Sequence, residues 1–303
     1  MSPGRIFVRA PRVPGEPVGA RLRAGWKFAI LVALYLAFGF LVARGVDATG
    51  VKFGRGFTAG FGVISEALQF LVALAASWTL ARIEGRSLAA YGLPRRGAFG
   101  GAFWVGTLWG LVAVTALFAM VLVAGGARVT GLAIHGAELL EHFVLWALVF
   151  VLVGLYEELL FRGTPLFTLA GGMGFWPGAV ALSLFFGALH YFGKPMENLS
   201  DLASVTLLGL FLCLALRRTG SLWWAIGFHF GFDWAALYAY GAPNTANDGK
   251  PLVGRLLAVD WQGPAWMTGG PLGLEASAFV FVVIAALYWL FLRRYPQTRW
   301  PAA

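Results

Sequence analysis

Two glutamates stand side by side in "YEELLFRG", residues 156–163, directly after the thirteen uncharged residues 143–155. Arg162 follows four residues after Glu158. Two later apolar stretches also carry ionisable groups: "SLFFGALHYF" contains His190, and "WWAIGFHFGFDWA" contains His229 and Asp233. A charge at the centre of a bilayer costs roughly 2.5–3.5 kcal/mol even on the lenient insertion scale, so such residues face a bundle interior and mark candidate sites. A carboxylate in a dry pocket suits general acid/base work. A histidine beside it can help deprotonate a water, and a second can donate to a developing oxyanion. Glu157, His190, His229 and Asp233 therefore read as a water-activating hydrolase site. A covalent nucleophile is not evident, because the sequence sets no acid/base partner beside Ser183 or Cys213.

Helical periodicity sorts these residues. Glu158 and Arg162 are spaced i, i+4 with the acid first, the favourable order for a pair on one face. Glu157 is rotated about 100° from Glu158. One carboxylate is then neutralised and structural, and the other is available for chemistry. His229 and Asp233 share the i, i+4 spacing. At 1.5 Å per residue, Glu157, His190, His229 and Asp233 fall at about 16, 22, 12 and 18 Å from one membrane face, a common layer within the error of the helix ends.

The elements that must hold them are membrane spans. Of 303 residues, 59% are hydrophobic and 12% charged, with mean hydropathy +0.75. A soluble domain carries about 25% charged residues. A hydrocarbon core about 30 Å thick needs about 20 apolar residues per helix. Eight runs approach that length: 26–43, 60–82, 98–124, 140–168, 175–192, 200–216, 221–240 and 276–293. The expected fold is all-α, a polytopic bundle of about eight transmembrane helices forming one domain over 26–293, with its catalytic core near 140–240. Residues 1–25 read as a disordered cytoplasmic segment without a cleaved signal, and 294–303 as a cytoplasmic tail. Residues 241–275 read as a polar, Pro/Gly-rich loop on the other side.

The net charge is +9. Its arginines sit between apolar runs, which suits the topology rule and lipid headgroups rather than nucleic acid. With N-terminus and C-terminus in the cytoplasm, 16 Lys/Arg fall on the cytoplasmic side and 7 opposite, together the 23 in the chain. Arg217 and Arg218 count among the former. Trp26, Trp176, Trp223 and Trp300 flank runs as an interfacial belt would. The lone Cys213 has no partner for an internal disulfide. Small-residue pairs at Gly56/Gly60, Gly97/Gly101 and Gly106/Gly110 permit close helix contacts, but among 41 glycines such spacing also arises by chance.

Taken together, the motifs resemble the CAAX-processing and bacteriocin-processing intramembrane endopeptidases. "EELLFR", Glu157 to Arg162, matches that family's EExxxR. Phe186 to His190 matches FxxxH, and His229 to Asp233 matches HxxxN/D. The three occur in the expected order on three apolar runs, and the resemblance covers about residues 140–240. It implies peptide-bond hydrolysis within the membrane, on a membrane-associated protein or peptide such as a prenylated CAAX C-terminus. By position, Glu157 and His190 would activate the water, His229 and Asp233 would stabilise the oxyanion, and Glu158, Arg162 and Phe186 would support the site. Asp233 stands where the eukaryotic-type branch has asparagine. An ionised acid donates no hydrogen bond, so Asp233 can instead orient His229. A metal-free site is expected. The other reading is Zn²⁺ held by Glu157, His190 and His229 with one open position, although no HExxH helix is present. The expected location is the plasma (inner) membrane, multi-pass.

Plainer readings stand beside these. An interhelical ion pair accounts for one of the two glutamates, not both. His190 alone would read as a packed, hydrogen-bonded histidine. His135, Glu138 and His142 share a helix face but precede their apolar run, where acids at a helix N-terminus are favoured, and read as a solvated face. Glu66 and Gln69 fit either an interhelical contact or a cleft lining. Intramembrane Glu, His and Asp also mark proton relays, which keeps a proton-coupled transporter as the alternative class, although no inverted repeat or broken-helix pair is visible. A non-catalytic scaffold or immunity-type protein is a third reading.

Overall fold

The computed structural model describes residues 18–50, 57–193, 196 and 198–300. Among the described residues ahead of α1 is a helical turn, Val18–Arg21. Three long helices follow: α1 Ala24–Ala48, α2 Ala59–Ile83 and α3 Gly101–Val123. The strand β1, Ala127–Leu132, precedes α4, Ala137–Phe161. Next come α5 Thr164–Met173, α6 Phe175–Gly193, α7 Leu199–Thr219 and α8 Leu222–Asp233. A second strand, β2 Leu257–Trp261, and the helix α9, Phe279–Arg294, complete the order.

Among the described residues, six stretches are long and apolar enough to cross a membrane: α1, α2, α3, α4 taken with α5, α6 and α7. The expected eight is not reached on length. The seventh run gives the 12-residue α8, continued by a π-helical turn at Trp234–Ala239, and the eighth gives the 16-residue α9. The fourth run is two helices. Its first ends at Arg162, and α5 starts with Pro165 in its first turn, where a missing N–H costs nothing. Outward-facing side chains such as Leu36 and Phe40, 63% and 66% exposed, suit lipid. With this surface the chain is a multi-pass membrane protein.

The helix α8 runs through the middle. Of its 12 residues, only His229 and Asp233 are not fully buried. It is set up by a compact turn: Gly220 closes α7 in the left-handed region (φ 72°), and the Ser221 side chain accepts from the Trp223 N–H. Against it lies α3, in an interlock of glycines. A β-carbon on Gly106 would overlap the Trp224 carbonyl, and one on Gly110 the Phe228 carbonyl. Conversely, a β-carbon on Gly227 would overlap the Phe103 carbonyl, and one on Gly231 the Thr107 carbonyl. Two i, i+4 glycine pairs thus let two backbones touch. The pair 106/110 is therefore genuine, whereas Gly60, Gly97 and Gly101 have open space around them. Gly56 lies outside the described residues.

Several expectations need correction. The bundle is not purely helical: β1 and β2 pair antiparallel, from Ala127 opposite Trp261 to Leu132 opposite Leu257. The 241–275 connection is therefore an ordered cap rather than a plain loop. The tail also folds back. The N–H groups of Arg299 and Trp300 donate to the Arg217 carbonyl, and the Trp300 ring packs 4.2 Å from that of Phe167. Trp300 is thus a packing residue rather than belt, as is Trp223, 6% exposed, whose Nε1 donates to the Pro94 carbonyl. Trp26 and Trp176 are exposed, as a belt requires. The disordered segment expected at 1–25 lies mostly outside the described residues; within them, α1 already begins at Ala24.

Candidate active site

Arg162 and Glu158 form the buried base of the site. Arg162 caps the C-terminus of α4, and its Nη1 donates to Glu158 Oε1 at 3.0 Å. Their side chains are 1% and 0% exposed. Gly209 on α7 makes room: a β-carbon there would press on the Arg162 guanidinium. Phe186 on α6 lays its ring 4.5 Å from the Arg162 guanidinium carbon, a cation–π contact. The expected i, i+4 pair is present, and it carries more than expected.

The Nδ1–H of His229 donates to the same Glu158 oxygen at 2.9 Å. Glu158, not Asp233, therefore holds the inner nitrogen of this imidazole. Asp233 lies on the opposite side, with Oδ2 3.3 Å from Nε2, and Glu157 Oε2 is 3.5 Å from that same Nε2. Two carboxylates converge on one ring nitrogen. At least one proton must lie between them, on Nε2 or on one acid, because three bare acceptors would repel. With His229 doubly protonated, three carboxylates face two cations.

His190 joins from α6. Its Nδ1 lies 2.9 Å from the Phe186 carbonyl. A carbonyl only accepts, so Nδ1 carries the hydrogen and the neutral ring keeps its lone pair on Nε2. Phe186 thus serves twice, with its ring on Arg162 and its carbonyl on His190. These groups line a cavity of about 290 Å³. Glu157, His190, His229 and Asp233 all border it, while Glu158 and Arg162 lie behind the wall.

Glu66 and Gln69 of α2 border the same cavity, and Gln69 Nε2 donates to Glu66 Oε2 at 3.0 Å. They are cleft lining, not an interhelical bond. The far wall is the cap, through Asn244, Thr245 and Leu272–Glu275. Ser204 on α7 ties it down by donating to the Glu275 carbonyl at 2.6 Å. The π-helical turn begins immediately after Asp233, and such turns concentrate at functional sites. Sequence reasoning misses the cap and this turn, because Asn244 and Glu275 belong to no motif and follow Asp233 by 11 and 42 residues. His135, Glu138 and His142 stay outside the cavity, and the His142 Nδ1–H donates to the Glu138 carbonyl. Ser183 and Cys213 lie 3.8 Å apart in the core, with Cys213 also beside Arg162.

Among the described residues, no three His, Cys, Asp or Glu side chains converge as metal ligands.

Residues 139–235 match the family model described as Type II CAAX prenyl endopeptidase Rce1-like. Over that segment, about a third of the chain, the sequence is similar to the Rce1-like family. That family implies a protease, a hydrolase of peptide bonds. The matched segment runs from α4 into the π-helical turn and so includes the whole Glu157–Glu158–Arg162–His190–His229–Asp233 set. Outside the matched segment lie Glu66, Gln69 and the cap. No curated protein and no solved structure matches the chain.

Removing one member of the buried pair should unfold the site. Glu158→Gln leaves Arg162 without its counter-charge, and breaking such a pair costs about 3–5 kcal/mol. The variant is expected to lose stability in a denaturation series in detergent. A melting curve equal to wild type would show that Glu158 is not the anchor.

Proposed function

We propose that this chain is an intramembrane endopeptidase whose own side chains activate the water, with Glu157 as general base. The observation that carries the reading is the placement of Glu157 on the cavity beside His229 while Glu158 is buried behind it on Arg162 and His229. Glu157 takes a proton from a water that His190 Nε2 helps to orient. The resulting hydroxide forms a C–O bond to the scissile carbonyl carbon. His229, held through Nδ1 by Glu158, donates from Nε2 to the oxyanion. Asp233 and Glu157 keep that Nε2 proton in place, so Asp233 acts through His229. The tetrahedral intermediate then collapses, the C–N bond breaks, and Glu157 delivers its proton to the leaving amine. One water is consumed, and one carboxylate and one amine are formed.

The substrate class is a membrane-associated protein or peptide, with a prenylated CAAX C-terminus first among candidates because the matched family is named for it. The proposed location is the plasma (inner) membrane with both termini cytoplasmic, which the Lys/Arg surplus supports.

Comparing protein C-termini and membrane-protein fragments in cells that carry wild type or Glu157→Ala tests this. Wild-type cells should contain trimmed products that appear full-length with the variant. Identical termini in both would remove the assignment.

A further inference from the structure

A second and larger hollow lies on the outer side of α2, away from the catalytic cavity. Its volume is about 870 Å³. One wall is a single stripe of α2: Leu71, Leu74, Ala75, Trp78 and Arg82. These positions are i, i+3, i+4, i+7 and i+11, which keeps them on one helix face. The opposite wall is the segment between α2 and α3 together with Trp223. The Trp223 Nε1 donates to the Pro94 carbonyl, which anchors that segment against α8.

The hollow has a polarity along its length. Its deep part is apolar, and Trp78 is 54% exposed there. Its outer end carries Arg82, Arg86 and Arg95, all exposed. The acid between them does not cancel this charge. Glu84 turns inward, 2% exposed, and takes a 2.6 Å ion pair from Lys27 of α1, with Arg86 Nε at 3.9 Å. From Leu71 to Arg82 the helix rises about 16 Å. That is about half of a hydrocarbon core some 30 Å thick, the depth of one leaflet.

We infer that this hollow binds one anionic glycerophospholipid, with an acyl chain along the Leu71–Trp78 stripe and the phosphate at Arg82, Arg86 and Arg95. Leaflet-deep apolar length rules in a lipid tail, and the three arginines select an anionic headgroup. Basic pockets between helices at the cytoplasmic surface recognise lipids in this way. The same arginines belong to the surplus that places this end in the cytoplasm, where anionic lipid concentrates. A bound lipid would also wedge α2, which carries Glu66 and Gln69, and so support one wall of the catalytic cavity.

The full chain, delipidated in detergent, would be titrated with phosphatidylglycerol and with phosphatidylcholine, and adducts counted by native mass spectrometry. Phosphatidylglycerol should bind wild type with preference. Arg95→Gln should weaken it by about fivefold, the worth of one basic residue near an anionic surface. Arg96→Gln removes the same charge one residue away, outside the hollow, and should leave binding unchanged. Leu74→Trp fills the apolar part and should weaken binding with every arginine intact. Glycerol phosphate, the headgroup without chains, should not compete. Equal binding of the two lipids overturns the inference, as does equal loss in Arg95→Gln and Arg96→Gln, or full competition by glycerol phosphate. Each variant is scored at a melting temperature matched to wild type; if Arg95→Gln fails to fold, Leu74→Trp and the glycerol phosphate competition decide alone.

Discussion

Glu157→Gln is expected to lower kcat on a cleavable peptide by about 10²–10⁴-fold, the range for loss of a general base. KM and melting temperature should stay close to wild type. The amide keeps the shape of the side chain but takes no proton from water. Glu157 borders the cavity and its side chain is 20% exposed, so removing its charge leaves no buried cation orphaned. Glu158→Gln makes the contrast. It is chemically the same change one residue away, yet it strikes a fully buried carboxylate that holds both Arg162 and His229. The first variant should be stable and inactive, and the second unstable. Kinetics and thermal melts of the two variants, run together, separate the roles of adjacent glutamates.

The second large effect is structural. Gly227→Leu is expected to prevent accumulation of folded protein, and Gly227→Ala to cost at least about 1–3 kcal/mol, the range for overpacking. At this position the incoming β-carbon meets the Phe103 backbone, which cannot swing aside as a side chain would. The two helices must part, and α8 carries His229 and Asp233 with it. Gly106→Ala should behave alike for the reciprocal reason. Gly60→Ala and Gly101→Ala have open space and should be neutral. Yield and melting temperature in detergent check all five variants. A stable Gly227→Leu variant would show that the backbones do not touch.

Legibility followed the range of the interactions. The i, i+4 spacing of Glu158 with Arg162 and of His229 with Asp233 is fixed by helix geometry, so both contacts could be read before any fold was known. The rotation separating Glu157 from Glu158 was legible for the same reason. What no local spacing encodes is which helix stands opposite. That Glu158 would grip His229 through Nδ1, leaving Asp233 to share Nε2 with Glu157, depends on how α4 and α8 are rotated against each other. Gly227 and Gly231 were available as a spaced pair, yet only their fit to the α3 backbone at Phe103 and Thr107 separates them from Gly97 and Gly101. The cap was hidden for a related reason. Strand pairing between residues 127–132 and 257–261 crosses more than a hundred residues, and the alternation in each strand is too short to announce it. The short α8 was masked by hydropathy, which reports burial and lipid contact alike.

The most direct measurement is turnover of a fluorogenic CAAX-type peptide, alongside a panel of membrane peptides, by purified wild type and Glu157→Gln, with products weighed by mass spectrometry and a chelator in parallel samples. The account predicts two fragments whose masses sum to substrate plus one water, a rate insensitive to chelator, and a loss of at least about a hundredfold in the variant. Equal turnover by Glu157→Gln and wild type would contradict it.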